Sequence, residues 1–287
     1  MKVLVLGGGG QVARAVSASV PKIHSVVVKT RQDIDIADAA AVNSALIGSG
    51  IDWIVNGAAF TAVDLAEDEP EQARVINETS VGILAQSAAR HRCRLLHLST
   101  DFVFDGASNR AYLPSDLTNP LSVYGTTKLG GEHQVLKYGD GIVLRTAWVF
   151  ASSGRNFALT VLRLMRERDE LRVVCDQIGS PTWAMSIARA IWEIIDTNAP
   201  AGIYHWTDLG VASWYDFAVA IQDEALARGL LFRAVPIVPI PSSAYPTRAR
   251  RPTFSVLNTE ATRQLLTTPA QHWRHTLRMM LDELRIA

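Results

Sequence analysis

The 287-residue chain is poor in cysteine, in long apolar runs and in net charge, and each shortage removes a class of function. Its two cysteines, Cys93 and Cys175, lie far apart without metal-ligand spacing. They read as small buried hydrophobes, with no disulfide and no structural zinc. No apolar stretch approaches the roughly 18 residues a membrane-spanning helix needs. The run Val3 to Leu6 is too short for the core of a secretory signal. A cytoplasmic protein is expected, with no membrane partner. The 28 basic and 28 acidic residues cancel, so no general attraction draws the chain to nucleic acid or to anionic lipid. No internal repeat or low-complexity segment is visible.

What is present is an alternation. Short β-branched or leucine-rich runs, Val3 to Leu6, Val26 to Val28, Trp53 to Val55, Leu95 to Leu98 and Ile142 to Leu144, are separated by segments with helical spacing at Gln11 to Ser19, Ala37 to Leu46, Pro70 to Arg90 and Tyr124 to Leu136. Parallel strands joined by crossover helices follow, in a Rossmann-type doubly wound α/β sheet. Beyond Arg145 the rhythm is irregular. Helices are expected at Asn156 to Arg168, Ala184 to Ile195, Trp214 to Ala227 and Trp273 to Leu284, with a strand at Leu171 to Val174. The proline-rich Ala234 to Pro246 and arginine-rich Thr247 to Pro252 read as loop and edge strand. The expected division is a nucleotide-binding domain over 1–147, with 183–206 returning to it, and a smaller C-terminal α/β substrate domain over 148–182 and 207–287.

The first strand runs into four glycines, Gly7 to Gly10, followed by Gln11, Val12 and Ala13. Glycines there permit a tight turn and let backbone N–H groups approach a pyrophosphate at a helix N-terminus. After the second strand, where an NAD site commonly places an acid, stand Lys29, Thr30 and Arg31. Cations at that point suit a 2′-phosphate, so NADPH is expected, with NADH left open. Asp35 and Ile36 edge the adenine pocket in this reading. Small residues after the third strand, Asn56 to Ala59, let backbone pass close to the cofactor, and Thr61 follows them.

Thr100 follows the fourth strand, at the C-terminal sheet edge where open α/β folds bind ligands, with Asp101 and Phe102 next to it. Tyr124 and Lys128 are four apart, on one helix face, where an ammonium can stabilise a phenolate and pull its pKa of about 10 towards neutrality. With five lysines and six tyrosines, that spacing arises by chance in about one such sequence in ten. Its weight comes from the neighbouring motifs.

These motifs resemble the extended short-chain dehydrogenase/reductase family, and within it the reductases of dTDP-linked 4-keto-6-deoxysugars. The resemblance spans nearly the whole chain: Asn56 to Asp64 with Ala66 to Pro70, Ser99 to Gly106, Pro120 to Glu132, Arg145 to Trp148, Asp176 to Thr182, Ser213 to Phe217, Tyr245 to Thr247, and Arg251-Pro252 with Ser255 to Asn258. It implies a catalytic triad of Thr100, Tyr124 and Lys128, Trp148 lining the sugar pocket, and Asn156 with the arginines near Arg251 close to a nucleotide diphosphate. The implied reaction is NADPH-dependent reduction of the C4 ketone of dTDP-4-dehydro-L-rhamnose, with Tyr124 as proton donor. Phe102 stands where the family pattern commonly has Tyr, and Ala147 where Ser is frequent. Ala15 replaces a Glu that some relatives use in a magnesium-bridged dimer, so no metal is implied and a monomer and a homodimer stay equally open. Two alternatives remain: a 4-ketoreductase for another nucleotide-linked deoxysugar, and a non-catalytic NADP-binding regulatory subunit.

Overall fold

The structure, a computed structural model, describes residues 1–286. In chain order the first half carries β1 (Lys2–Leu6), α1 (Gln11–Ala18), β2 (Ser25–Lys29), α2 (Ala39–Leu46), β3 (Trp53–Asn56), α3 (Val63–Asp68), α4 (Pro70–Arg74), α5 (Ser80–His91), β4 (Arg94–Thr100), α6 (Val123–Lys137) and β5 (Ile142–Thr146). The second half carries β6 (Val149–Phe150), α7 (Phe157–Glu167), β7 (Leu171–Val174), β8 (Ile178–Gly179), β9 (Thr182–Trp183), α8 (Ala184–Asp196), β10 (Gly202–His205), β11 (Ala212–Ser213), α9 (Trp214–Ala227), β12 (Ile237–Ile240), α10 (Glu260–Leu265) and α11 (Trp273–Ile286).

Six strands form one parallel sheet in the order β10-β5-β4-β3-β1-β2. The inner strands are apolar on both faces because both faces are covered. Val3 and Val5 of β1 point into a core shared with Val16 of α1 and with Ile191 and Trp192 of α8. Leu4 and Leu6 point the other way, against Val42 of α2, Leu84 of α5 and Val135 of α6. Alternation along one strand thus serves two helical layers. The chain leaves β1 to make β2 on one side and returns to β3 on the other, so the winding reverses at β1 and β3 and opens a crevice at their C-terminal ends.

A further core lies among α7, α9 and α11, where Leu162, Met165, Phe217, Ile221, Leu277 and Met280 pack with Leu171 and Val173 of β7. The segment read as loop and edge strand contributes β12, which pairs in parallel with β7. The sequence reading does not include α3, α10 or the short strands β6, β8, β9 and β11, and two further features depart from it. β10 is an additional strand, whose Ile203 and Tyr204 pair with Val143 and Leu144 of β5. The single helix expected over Pro70 to Arg90 is broken by a π-turn at Val75–Thr79. That turn rotates the buried Asn77 inward: its amide accepts from Phe60 N at 2.8 Å and donates to Phe60 O and to Thr127 Oγ1, both at 3.1 Å. Gly131 of α6 lets the helices close here, since a Cβ on it would lie 2.2 Å from the Asn77 carbonyl oxygen. Among the described residues no helix is long and apolar enough to cross a membrane.

Candidate active site

Two clefts open along the reversal point. The first, 540 Å³, lies over the glycine turn. Gly7 has φ +78°, and a Cβ there would meet Ala58 N at 2.6 Å, so only glycine fits. Gly10 N donates to Gly7 O at 2.8 Å, closing the turn, and α1 begins with no side chain capping its first N–H groups. Those groups are left for a ligand. At the far end, Thr30 N and Oγ1 both donate to Asp33, at 2.8 and 2.7 Å, bending the chain after β2 so that Lys29 and Arg31 line the cleft. Of the residues expected at a cofactor, Gly7, Gly10, Arg31, Asp35, Ile36, Ala58, Ala59 and Thr61 all line this cleft.

The second cleft, 700 Å³, shares Gly9, Gly10, Gly57, Ala59 and Thr61 with the first, so the two are continuous. It brings Thr100, Asp101, Phe102, Tyr124, Lys128, Trp148 and Arg251 together with Gln11 and Val12. β4 delivers Thr100. Its hydroxyl accepts from Phe102 N at 3.2 Å and donates to Asp101 Oδ1 at 3.1 Å. α6 delivers the other two: Ser122 caps it through Gly125 N at 3.1 Å, setting Tyr124 in its first turn and Lys128 one turn on. Gly125 lets this end of the helix press on Phe102, whose carbonyl oxygen would lie 2.3 Å from a Cβ. Asn156 is the one expected site residue that lines neither cleft. It caps α7 through Leu159 N and donates to Gln11 Oε1 at 2.8 Å, so it fixes a lining residue from behind.

Burial sets the protonation states. It pushes the Tyr124 phenol up to about 12, against the pull of the Thr100 hydroxyl. It pushes Lys128 down to about 8, opposed by the Glu132 carboxylate, and the Asp101 carboxyl up to about 6, opposed by hydrogen bonds from Thr100 and Phe102. This differs from the acidified tyrosine expected from the spacing. The Lys128 side chain is turned away, its Nζ 2.6 Å from Leu98 O and 3.1 Å from His97 Nε2, so desolvation dominates and Tyr124 stays a protonated phenol. A phenol that keeps its proton is the form a proton donor needs.

One lining residue, Trp214, has no site role in the sequence reading. Trp214 stacks on Trp148 with parallel rings and centroids 3.5 Å apart, and its indole N–H donates to Gln177 Oε1 at 3.2 Å. Trp148 has φ +48°, a strained backbone for a bulky residue, and packs onto Gly179, where a Cβ would lie 2.4 Å from the indole. Arg251 is paired with Asp64 of α3, Nη2 to Oδ2 at 2.7 Å, and that guanidinium holds the Asp64 carboxyl below its usual range. Arg248 pairs with Asp68 nearby, while Arg250 is exposed. Beneath the site, Glu132 takes Arg145 Nη2 and Nε at 2.6 and 2.9 Å and Ser99 Oγ at 2.5 Å, all buried.

Against known proteins, residues 1–286 match the model of the RmlD substrate binding domain family. A dTDP-4-dehydrorhamnose reductase of Burkholderia thailandensis is 39% identical over 302 residues, covering 99% of both chains. Among solved structures, a dTDP-4-dehydrorhamnose reductase of Clostridium acetobutylicum superposes with TM-score 0.93 at 35% identity, over 99% of this chain and 100% of that one. A Bacillus anthracis dTDP-4-dehydrorhamnose reductase, solved in complex with NADP, superposes with TM-score 0.92 at 28% identity, over 98% and 99%. With this fold, this crevice and full-length similarity on both counts, the chain belongs to the RmlD family of dTDP-4-dehydrorhamnose reductases.

Proposed function

We propose that the chain reduces the C4 ketone of dTDP-4-dehydro-L-rhamnose to dTDP-L-rhamnose with NADPH, and that Thr100, Tyr124 and Lys128 do the catalytic work. The observation that carries this reading is the meeting of these three side chains in a cleft continuous with the glycine-turn cleft. NADPH supplies the hydride that the C4 carbon receives. The residues present fit that cofactor. Gly7 closes the turn where any side chain would collide, and the first N–H groups of α1 are free for a pyrophosphate. Gln11, Val12, Ala58, Ala59 and Thr61 wall the passage between the clefts, and Asp35 and Ile36 edge the adenine end. Lys29 and Arg31 offer cations to a 2′-phosphate.

As negative charge develops on the ketone oxygen, Tyr124 Oη gives up its proton to it. Thr100 swings its hydroxyl proton from Asp101 to the same oxygen, and Lys128, one turn from Tyr124, neutralises the phenolate left behind. Trp148 and Trp214 offer a flat apolar wall to the deoxysugar, with Asp101 and Phe102 opposite, and Asn156 steadies Gln11 at the junction. Arg251 exchanges Asp64 for the nucleotide diphosphate. In this reading 1–147 with 183–206 carry the cofactor, and 148–182 with 207–287 carry the sugar nucleotide.

Phe102 favours a second reading, a 4-ketoreductase for another nucleotide-linked deoxysugar. Its ring packs edge-on against Tyr124, centroids 5.6 Å apart, where a Tyr would add a hydroxyl to the pocket. One such hydrogen bond can shift substrate preference by orders of magnitude. The test offers purified protein NADPH with dTDP-4-dehydro-L-rhamnose, generated in place, alongside a 4-keto-6-deoxysugar nucleotide epimeric at C3 or C5. A higher kcat/KM for the first substrate supports the main reading, and a reversed order replaces it with the second.

A further inference from the structure

Behind Lys128 lies a buried polar chain whose hydrogen-bond polarity can be read atom by atom. Asn56 ends β3, and its Oδ1 accepts the Ala58 backbone N–H at 3.1 Å. A backbone N–H can only donate, so this contact fixes the amide: the oxygen faces Ala58 and Nδ2 faces His97 Nδ1, 3.0 Å away. His97 is fully buried, and burial together with the neighbouring Lys128 holds its imidazole well below the usual histidine range, hence neutral. A neutral imidazole has one donor and one acceptor. Nδ1 accepts from Asn56, so the ring proton sits on Nε2, and Nε2 lies 3.1 Å from Lys128 Nζ.

An ammonium has three donors and no lone pair, whereas a neutral amine accepts one hydrogen bond. Facing a donor, Lys128 is fully satisfied only as the amine, accepting from His97 Nε2–H while donating to Leu98 O. We propose that His97, its tautomer fixed by Asn56, is a positioning residue that offers Lys128 a donor and thereby favours its neutral form, making the ammonium a readier proton source. The inference rests on the reductive role given to Tyr124 and Lys128 above. Once Tyr124 Oη has passed its proton to the alkoxide, the Lys128 N–H bond breaks. Its proton goes to the phenolate, directly or through a bridging hydroxyl, and the nitrogen keeps the electron pair, which accepts His97 Nε2–H. Tyr124 is then a phenol again, and Lys128 recovers a proton from solvent between turnovers.

The other groups around Lys128 do not supply this polarity. On α6 itself Glu132 favours the ammonium, but its charge is engaged by Arg145 of β5. Tyr124 is a neutral phenol and Asp101, beyond β4, bonds Thr100. Asn77 of the π-turn reaches Thr127 and stops there. Among the described residues, His97 is the titratable side chain hydrogen-bonded to Lys128 Nζ.

The test has two readouts. Nitrogen-15 NMR of labelled His97 in the native protein reports the tautomer without any assay of activity. A neutral Nε2–H ring is expected, and an Nδ1–H ring or an imidazolium overturns the proposal. The second readout is Asn56→Asp, which preserves the acceptor for Ala58 N but turns the other position into an acceptor, so His97 must carry its proton on Nδ1 and present Nε2 as an acceptor to the ammonium. The alkaline limb of kcat, expected near the Lys128 value of about 8, should then move up by about one pH unit, together with the switch of tautomer. An unmoved limb overturns the proposal. So does a limb that moves while the tautomer stays, since that is added charge acting at a distance. If the native protein turns over no ketosugar, the assigned reaction fails while the tautomer measurement still stands.

Discussion

Replacing Glu132 by Gln should destabilise the protein far more than an isosteric change suggests. Glu132 and Arg145 are 1% and 2% exposed and joined by two short hydrogen bonds. The remaining side-chain hydrogen-bond contacts of Arg145 are the Pro114 carbonyl at 3.4 Å and His205 Nε2 at 3.3 Å, and its guanidinium lies over the Phe104 ring, 5.1 Å from the centroid. His205 is itself pushed down to about 3 by burial and then by Arg145, so it is neutral and brings no anion. E132Q therefore leaves a guanidinium in a dry interior without a counter-charge, a situation that costs about 3–5 kcal/mol. At roughly 2–4 °C per kcal/mol for a protein of this size class, Tm should fall by roughly 6–20 °C. Urea unfolding followed by circular dichroism measures the loss directly. The control is E167Q, which breaks a pair exposed at 59% and 51% and should cost under about 1 kcal/mol. An E132Q loss no larger than that of E167Q would refute the claim that this pair is sealed beneath the site.

Other predictions concern the site itself. Asp101 carries a folded-state pKa raised from 3.8 to about 6, chiefly by burial. The stability it contributes is full below the unfolded value and is lost as pH rises through about 6, by about 3 kcal/mol in all. Between pH 4 and 7 the unfolding free energy of D101N should gain on the native protein by up to that amount, and a pH-independent difference would sink the assignment. Arg31→Asp should cut kcat/KM for NADPH roughly 10–100-fold through the lost charge-assisted contact and leave NADH favoured. An unchanged ratio between the two cofactors would remove the 2′-phosphate role. Tyr124→Phe should keep NADPH affinity near native, by fluorescence titration, while turnover falls about a hundredfold or more; retained turnover would dismiss Tyr124 as the acid.

How far these features were legible in sequence depends on where their determinants lie. The strands β1, β3 and β5 announce themselves because parallel strands covered on both faces must be apolar throughout. The glycine turn is equally local: Gly7 needs its positive φ whatever surrounds it. Tyr124 and Lys128 share a helix face by spacing alone. What that spacing did not convey is the direction of the Lys128 side chain, which His97 and the Leu98 carbonyl decide from another element. β10 has two apolar residues, too few to stand out, and exists because β5 offers it an edge. The π-turn is set by Asn77 finding Phe60 and Thr127. Arg251 was read as a phosphate ligand in an arginine run, and its partner Asp64 lies 187 residues away. Trp214 reads as the first residue of a capped helix, and only the meeting of β6 and α9 brings it onto Trp148. Local chemistry was visible; the contacts that set charge state and pocket shape are long-range.

The most direct test of the central claim is single-turnover transfer of deuterium from NADPH labelled on the nicotinamide C4 to dTDP-4-dehydro-L-rhamnose, with the product identified by mass spectrometry and NMR. dTDP-L-rhamnose carrying deuterium at sugar C4, one equivalent per NADPH oxidised, is the predicted result. NADPH bound tightly with no oxidation, or deuterium at any other carbon, would contradict it.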